Sequence, residues 1–237
     1  MYKKLGSSGH RLSDEVTEHI KMLIRNEHLK PGDKIPNEIE LGRLFGVSRP
    51  TIRQAVNSLV SQNIVEIARG RGTFVSHAPG VAKDPLGLEF ILAPDLQISL
   101  AEARLAIEPG VARLAAENAT PKDLEKIGSC IDKMRDVVHE HRIGMAIELD
   151  FHRSIAEASC NPIIMRVIPI ILDSILSTYA DANPTIRDHG VAMEEHSAVY
   201  TAIAEHNADK AFTIMQTHLK NSHERLVRRK AEKTDES

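Results

Sequence analysis

The chain is 237 residues long, 42% hydrophobic and close to neutral, with a formal net charge of −3, which is enough for two ordinary domains, each with its own core. No stretch approaches the roughly 18 consecutive apolar residues of a membrane helix, and the opening Met1-Tyr2-Lys3-Lys4-Leu5-Gly6-Ser7 lacks the apolar run of a signal peptide; membrane and secreted classes are thereby excluded, and a cytoplasmic protein is expected. Cys130 and Cys160 match neither a disulfide framework nor zinc-ligand spacing, and an aromatic content of 3% with no Trp suits a helix-rich core of Leu, Ile, Val and Ala.

Ser13 followed by Asp14 and Glu15 predicts an N-cap and acidic first turn, opening a helix whose face Val16, Ile20, Leu23 and Ile24 carries to about Asn26. A turn-rich connection, His28 to Pro36, follows. Asn37 then caps a short helix with Ile39, Leu41, Leu44 and Phe45 as apolar positions and Gly46 as its left-handed end. Ser48 caps a third helix, Arg49 to about Gln62, with Pro50 in its permissive first turn. Ile52, Ala55, Val56, Leu59 and Val60 form the inward stripe of this helix, which leaves Ser48, Arg49, Thr51, Arg53 and Gln54 facing outward at its start. A tight turn between two short helices, the second with Arg and Thr at its N-terminal end, is how a recognition helix meets base edges and phosphates. The β-rich runs Ile64 to Ala68 and Thr73 to Val75 flank Arg69-Gly70-Arg71-Gly72, a wing whose glycines let the backbone approach a duplex and whose arginines suit a minor groove or a phosphate.

His77 to Gly87 contains two Pro and two Gly without periodicity and reads as a linker. Charge divides about it: residues 1–80 carry 12 Lys/Arg against 8 Asp/Glu, net +4, whereas residues 81–237 carry 18 against 25, net −7. The basic part is the one with the helix-turn-helix pattern, which fits attraction to phosphate. From Ile98 on, the chain reads as helices with short breaks: Ile98 to Asn118; a helix opened by Thr120-Pro121 and running to about Glu140; about Ile143 to Ala158; a helix opened by Asn161-Pro162, apolar nearly all round and therefore expected at the centre; a break at Asn183-Pro184; then about Gly190 to His206 and Ala208 to Lys230. The fold class expected is mainly α, with an N-terminal winged helix-turn-helix (residues 1–76), a linker (77–87) and a C-terminal antiparallel all-α bundle of six to seven helices (88–237).

Glu148 lies one turn before His152 and shares its helical face, and His196 and His218 fall where antiparallel packing of the last two helices brings them together. Imidazoles and a carboxylate from three converging helices suit a divalent transition metal, zinc above all. Asp150 points roughly 200° away from His152 around the helix and is the alternative carboxylate.

Residues 10–76 resemble the winged domain of the GntR family of bacterial transcription regulators through Leu29-Lys30-Pro31-Gly32-Asp33-Lys34-Ile35-Pro36, Gly46-Val47-Ser48-Arg49-Pro50-Thr51-Ile52-Arg53-Gln54-Ala55 and Gly70-Arg71-Gly72-Thr73-Phe74-Val75. The family often has Arg where this chain has Ile39, a departure that removes one DNA contact and for which Arg43 is an uncertain substitute. Residues 85–230 resemble the helical effector (FCD) domain of the family's FadR subgroup through 102–116, 151–161 and 195–203. That resemblance implies a metal held by His152, His196, His218 and Glu148, the last in place of the subgroup's Asp. It also implies an effector-binding Arg104, although Arg104 equally suits pairing with Glu102 or Glu108, and Asn161 suits a capping role. The implied protein is a homodimer on a palindromic double-stranded operator. It would be a repressor of a catabolic operon for a sugar acid or hydroxy acid, released when a small organic carboxylate binds. Two other readings stand beside it: a metal-dependent hydrolase fused to a DNA-binding module, and a regulator responsive to an acyl thioester.

Overall fold

The computed structural model describes residues 8–82, 84–91, 93, 95–139, 144–178 and 186–235. The chain separates into two compact units, Met1–Pro85 and Leu86–Ser237.

The first unit is built in the order α1 (Ser8–Asn26), α2 (Glu38–Phe45), α3 (Arg49–Ser61), β1 (Val65–Ala68) and β2 (Gly72–Val75). A capping box starts α2: the Asn37 side chain accepts from the Ile39 and Glu40 N–H groups, and the Glu40 carboxylate accepts from the Asn37 N–H. Gly46 ends α2 at φ 66°, a conformation that favours glycine, and Pro50 occupies the first turn of α3. Apolar side chains of all three helices meet in one core with the hairpin: Val16, Ile20, Ile35, Leu41, Ile52, Val56, Leu59, Val65 and Val75. The strands pair antiparallel from Val65↔Val75 to Ala68↔Gly72, so Arg69, Gly70 and Arg71 form the tip. Lys34 adds a bridge to Phe74, fixed by Ile35 N–H to Thr73 O and Val75 N–H to Asp33 O.

Two expectations in this unit are corrected. The first helix begins at Ser8, and Ser13 is no cap: it is buried on the inner face with Val16, Thr17 and Ile20, since a serine inside a helix is tolerated at small cost. Val60 is 38% exposed, because the inner stripe of α3 closes at Leu59 and the helix itself ends at Ser61.

The second unit contains, among the described residues, α4 (Leu96–Asn118), α5 (Pro121–His139), α6 (Met145–Ala158), α7 (Ile164–Thr178), α8 (Ile186–Ala204) and α9 (Ala208–Asp235). Asn161 accepts from the Ile163 and Ile164 N–H groups at the start of α7, and Thr120 and Asp123 exchange bonds at the start of α5. Small side chains on α4, Ala112, Ala115 and Ala116, are fully buried where α4 runs against α9, and the core continues through Ile127, Leu149, Phe151, Ile155, Leu172, Val199, Ile203 and Met215. Gly190 does not open α8; the helix starts four residues earlier, because one glycine inside a helix costs only about 1 kcal/mol. Nor is α7 buried on every side: Ile168 and Leu172 are enclosed by α4 and α6, while Met165, Val167 and Leu176 are exposed, as is Ile163 just before the helix. A helix apolar all round needs a neighbour on each side to be buried, and within this unit α7 packs chiefly against those two. The expected break at Asn183-Pro184, and the helix ends expected at Glu140 and Ile143, lie outside the described residues.

Candidate metal centre and DNA-reading surface

In the first unit the N-terminal ends of α2 and α3 and the wing carry the sequence-predicted DNA contacts. Ser48, Arg49, Arg53, Arg69, Gly70 and Arg71 are exposed, and Thr51 and Gly72 are half-buried. The Ser48 hydroxyl does not cap α3; it pairs with the Thr51 hydroxyl at 2.9 Å. Arg53 is held from α2: its Nε and Nη2 donate to the two carboxylate oxygens of Glu38 at 3.3 and 3.1 Å. The Arg71 guanidinium lies over the Phe74 ring at 5.7 Å. Gly72 sits at φ 130° directly beneath the Lys34 side chain, so any Cβ there would strike Lys34 Cε at 2.5 Å. Ile39 is 43% exposed on the first turn of α2.

In the second unit three helices bring His152 (α6), His196 (α8) and His218 (α9) together, all buried, with one nitrogen of each within 4.8 Å of the others. The His152 and His196 Nε2 atoms are 3.3 Å apart, and the Phe151 ring closes one side at 4.6 Å from His196. Two glutamates hold the outer nitrogens. Glu108 of α4 lies 2.5 Å from His152 Nδ1 and takes Arg104 Nε on its other oxygen at 2.5 Å. Glu195 of α8 lies 2.8 Å from His218 Nδ1 and is itself held by Asn221 Nδ2 at 2.7 Å and by both terminal nitrogens of Arg225 at 3.2 and 3.1 Å. In a neutral imidazole a carboxylate on Nδ1–H fixes the proton there and leaves the Nε2 lone pair facing inward, the tautomer that ligates a metal; His218 has that bond, whereas Glu108 stands close to His152 Nδ1 without hydrogen-bond alignment. His196 has no such carboxylate: its Nδ1 is buried without a hydrogen-bond partner among the described residues, and its Nε2 faces that of His152.

The electrostatics follow from burial. Burial opposes the negative charge on Glu108, yet Arg104 and His152 outweigh it and hold the carboxyl far below its ordinary range. Burial, with Arg104 adding, pushes His152 down to about 4 against the pull of Glu108. Burial and then His218 push His196 well below its ordinary value. Half-buried Glu195 is brought down to about 2 by His218, Arg225 and Asn221 despite desolvation. Burial favours the neutral form of His152 and His196, and one nitrogen from each of the three histidines within 4.8 Å of the others is a donor set that fits a divalent transition metal.

Glu148 stands one turn before His152 and is half-buried, but its carboxylate does not join the close set of histidine nitrogens. Asp150 points outward, 2.5 Å from Arg153, which also reaches Asp173 at 2.7 Å. Arg104 pairs with Glu108, not at the surface but at 12% side-chain exposure, and its Nη2 is buried with no hydrogen-bond partner among the described residues. Sequence reasoning missed Glu108, Glu195, Asn221 and Arg225 as supports. Only Glu108 left a signal, its i,i+4 spacing from Arg104.

Residues 12–75 match the model described as bacterial regulatory proteins, gntR family, and residues 99–221 match the FCD domain. The chain is 32% identical over 224 residues to an uncharacterised HTH-type transcriptional regulator, YcbG, of Bacillus subtilis, spanning 94% of this chain and 93% of that protein. It is 30% identical over 224 residues to the HTH-type transcriptional repressor NanR of Cronobacter sakazakii, spanning 88% and 83%. Among solved structures, a GntR protein of Streptococcus agalactiae superimposes with a TM-score of 0.77 at 31% identity, covering 90% of this chain and 99% of that one. No helix among the described residues is long and apolar enough to cross a membrane.

Proposed function

This chain belongs to the GntR family of bacterial regulatory proteins and carries its FCD domain, a DNA-binding transcription regulator and not an enzyme, and from that premise we propose that it is a ligand-responsive repressor whose helical domain binds a small organic carboxylate at a metal-containing pocket. The observation that carries this reading is the buried His152–His196–His218 cluster beside an Arg104 whose Nη2 is desolvated and without a hydrogen-bond partner among the described residues. His152, His196 and His218 would hold the ion, zinc above all, with Glu148 swinging in as the fourth ligand. The bound ion would supply a Lewis-acidic position for a carboxylate or hydroxyl oxygen. Arg104 then binds and orients the second carboxylate oxygen through Nη2, while its Nε stays on Glu108. Residues 1–76 form the DNA-reading domain, 77–87 the linker and 88–237 the effector and dimerisation domain of a cytoplasmic homodimer, whose two-fold symmetry calls for a palindromic operator. Ser48, Arg49, Thr51, Arg53 and the wing Arg69-Gly70-Arg71-Gly72 read it. Relatives named as transcriptional repressors support repression, and a sugar acid or hydroxy acid suits a pocket that pairs a cation with a guanidinium. Effector binding lowers operator affinity to the extent that it prefers one domain arrangement.

Protein purified without a His-tag should carry about one transition metal per chain and lose most of it on His196→Ala, three to four ligands being what such a site needs. In a duplex-binding assay with the full chain, Arg49→Ala should weaken binding and lower the salt slope by about 1. An empty parent protein refutes the metal reading, and unchanged duplex binding of the Arg49 variant refutes the DNA-surface assignment.

A further inference from the structure

The ion pair between α2 and α3 is unlike the other charge contacts of the first unit. It spans 15 residues of sequence, it is a fork on a fork, and it occupies one edge of the Arg53 guanidinium, Nε and the adjacent N–H of Nη2. Of the five N–H donors of an arginine, the remaining three lie on Nη1 and the far side of Nη2, so the end-on edge stays free to meet two acceptors at once. Glu38 is also the one first-turn acid of α2 that the capping box does not use, since Glu40 closes that box with Asn37. An exposed ion pair adds little to stability, and the Arg53 side chain is 68% exposed. A four-rotor side chain at the start of a recognition helix is otherwise free to spread over many orientations, and the fork removes most of that freedom before DNA arrives.

We propose that Glu38 is a positioning residue for base readout: it locks the Arg53 guanidinium so that its end-on edge pairs with O6 and N7 of one guanine in each operator half-site. The inference rests on the reading of Arg53 as a DNA contact. Without Glu38 the arginine turns to the nearest phosphate, so affinity survives and selectivity is lost. A carboxylate that merely braced the fold would lower binding to every duplex alike.

The test uses the full chain and a duplex selected by the parent protein from a randomised library, together with every single base-pair variant of that duplex and a random duplex. Glu38→Gln and Glu38→Ala should bind the random duplex as tightly as the parent or more tightly, one negative charge having left the surface. Preference for G·C at one position per half-site should fall by about 5- to 150-fold, the discrimination that a bidentate contact supplies, with other positions unchanged. Arg53→Lys, which keeps the charge and loses the fork, should flatten the same position. Loss spread evenly over positions and random DNA, or an unchanged preference profile in both Glu38 variants, overturns the proposal. An unchanged profile in Arg53→Lys and Arg53→Ala would instead overturn the Arg53 contact itself, a result the Glu38 variants do not produce.

Discussion

Replacing Glu108 by Gln removes one negative charge from a buried contact of the helical unit while leaving an acceptor for the His152 Nδ1–H. Glu108 is 3% exposed and lies 2.5 Å from both His152 Nδ1 and Arg104 Nε. In the variant the Arg104 cation stays enclosed with its counter-ion gone, and breaking a buried pair from one side costs about 3–5 kcal/mol. Gln offers one acceptor, for the His152 Nδ1–H, while its NH2 then faces the Arg104 Nε–H, donor against donor, so the loss is at least about 3 kcal/mol. In a unit of roughly 150 residues each kcal/mol moves Tm by about 2–4 °C, so thermal unfolding in the presence of a chelator should fall by about 6–12 °C. Zinc affinity, read by competition with a chromophoric chelator, should weaken about 10- to 100-fold because the support of one ligand has been altered. Adding Arg104→Met to Glu108→Gln should restore part of the lost Tm, since the stranded cation goes with it. A Tm change under about 2 °C, the scale of a surface substitution, with zinc affinity unmoved, would refute the view that Glu108 supports both Arg104 and the histidine cluster.

Acid should loosen the helical unit before its carboxylates titrate. The unfolded chain takes up protons on His152 near pH 6.5, whereas the folded chain resists until about 4. Stability therefore declines as pH falls through that window, by about 3 kcal/mol from His152 alone, with His196 acting in the same direction. Glu195 is shifted in the same direction, its stabilisation being lost only as pH falls on towards about 2. Tm measured in chelator from pH 7.5 to 4.5 should drop, and drop less in His152→Gln; a flat profile would sink the reasoning. In the winged unit, Gly72→Ala forces a side chain to φ 130° and onto Lys34, a strain of about 1–3 kcal/mol. It should speed hydrogen exchange at the Ile35 and Val75 amides, which bond across that segment to Thr73 and Asp33; unchanged protection would show that the wing absorbs the side chain elsewhere.

What could be read from the sequence was whatever the chain states locally. Asn37, Gly46 and Pro50 each act through neighbours within four residues, and each stands where its chemistry placed it. The meeting of His152, His196 and His218 was only partly legible in helical period, which puts Glu148 and His152 on one face; with 12 histidines in the chain, it was the resemblance to the FCD domain that singled out these three. Glu195 was not legible: its partner His218 is on another helix, and no spacing along the chain encodes a contact across 23 residues and a turn. The Glu38–Arg53 fork was hidden in the same way, and Arg53 alone looked like any outward arginine. Ser13 misled because a capping triplet and the middle of a buried helical stripe can be written with the same residues, and burial decided between them.

The two arginine–glutamate pairs around the histidine cluster, Arg104 with Glu108 and Arg225 with Glu195, also bear on what kind of molecule the proposed effector site would take. Each pair cancels itself, and burial favours the neutral form of His152, so these pairs bring no net charge to the interior. A doubly charged ion held there with Glu148 as its one anionic ligand, as proposed above, would leave a single positive charge in a medium that screens it poorly. Neither Asp150, engaged by Arg153 on the outside, nor the two anchored glutamates can turn inward to neutralise it. On the proposed reading the missing negative charge would arrive from solution, and a monoanion would supply it.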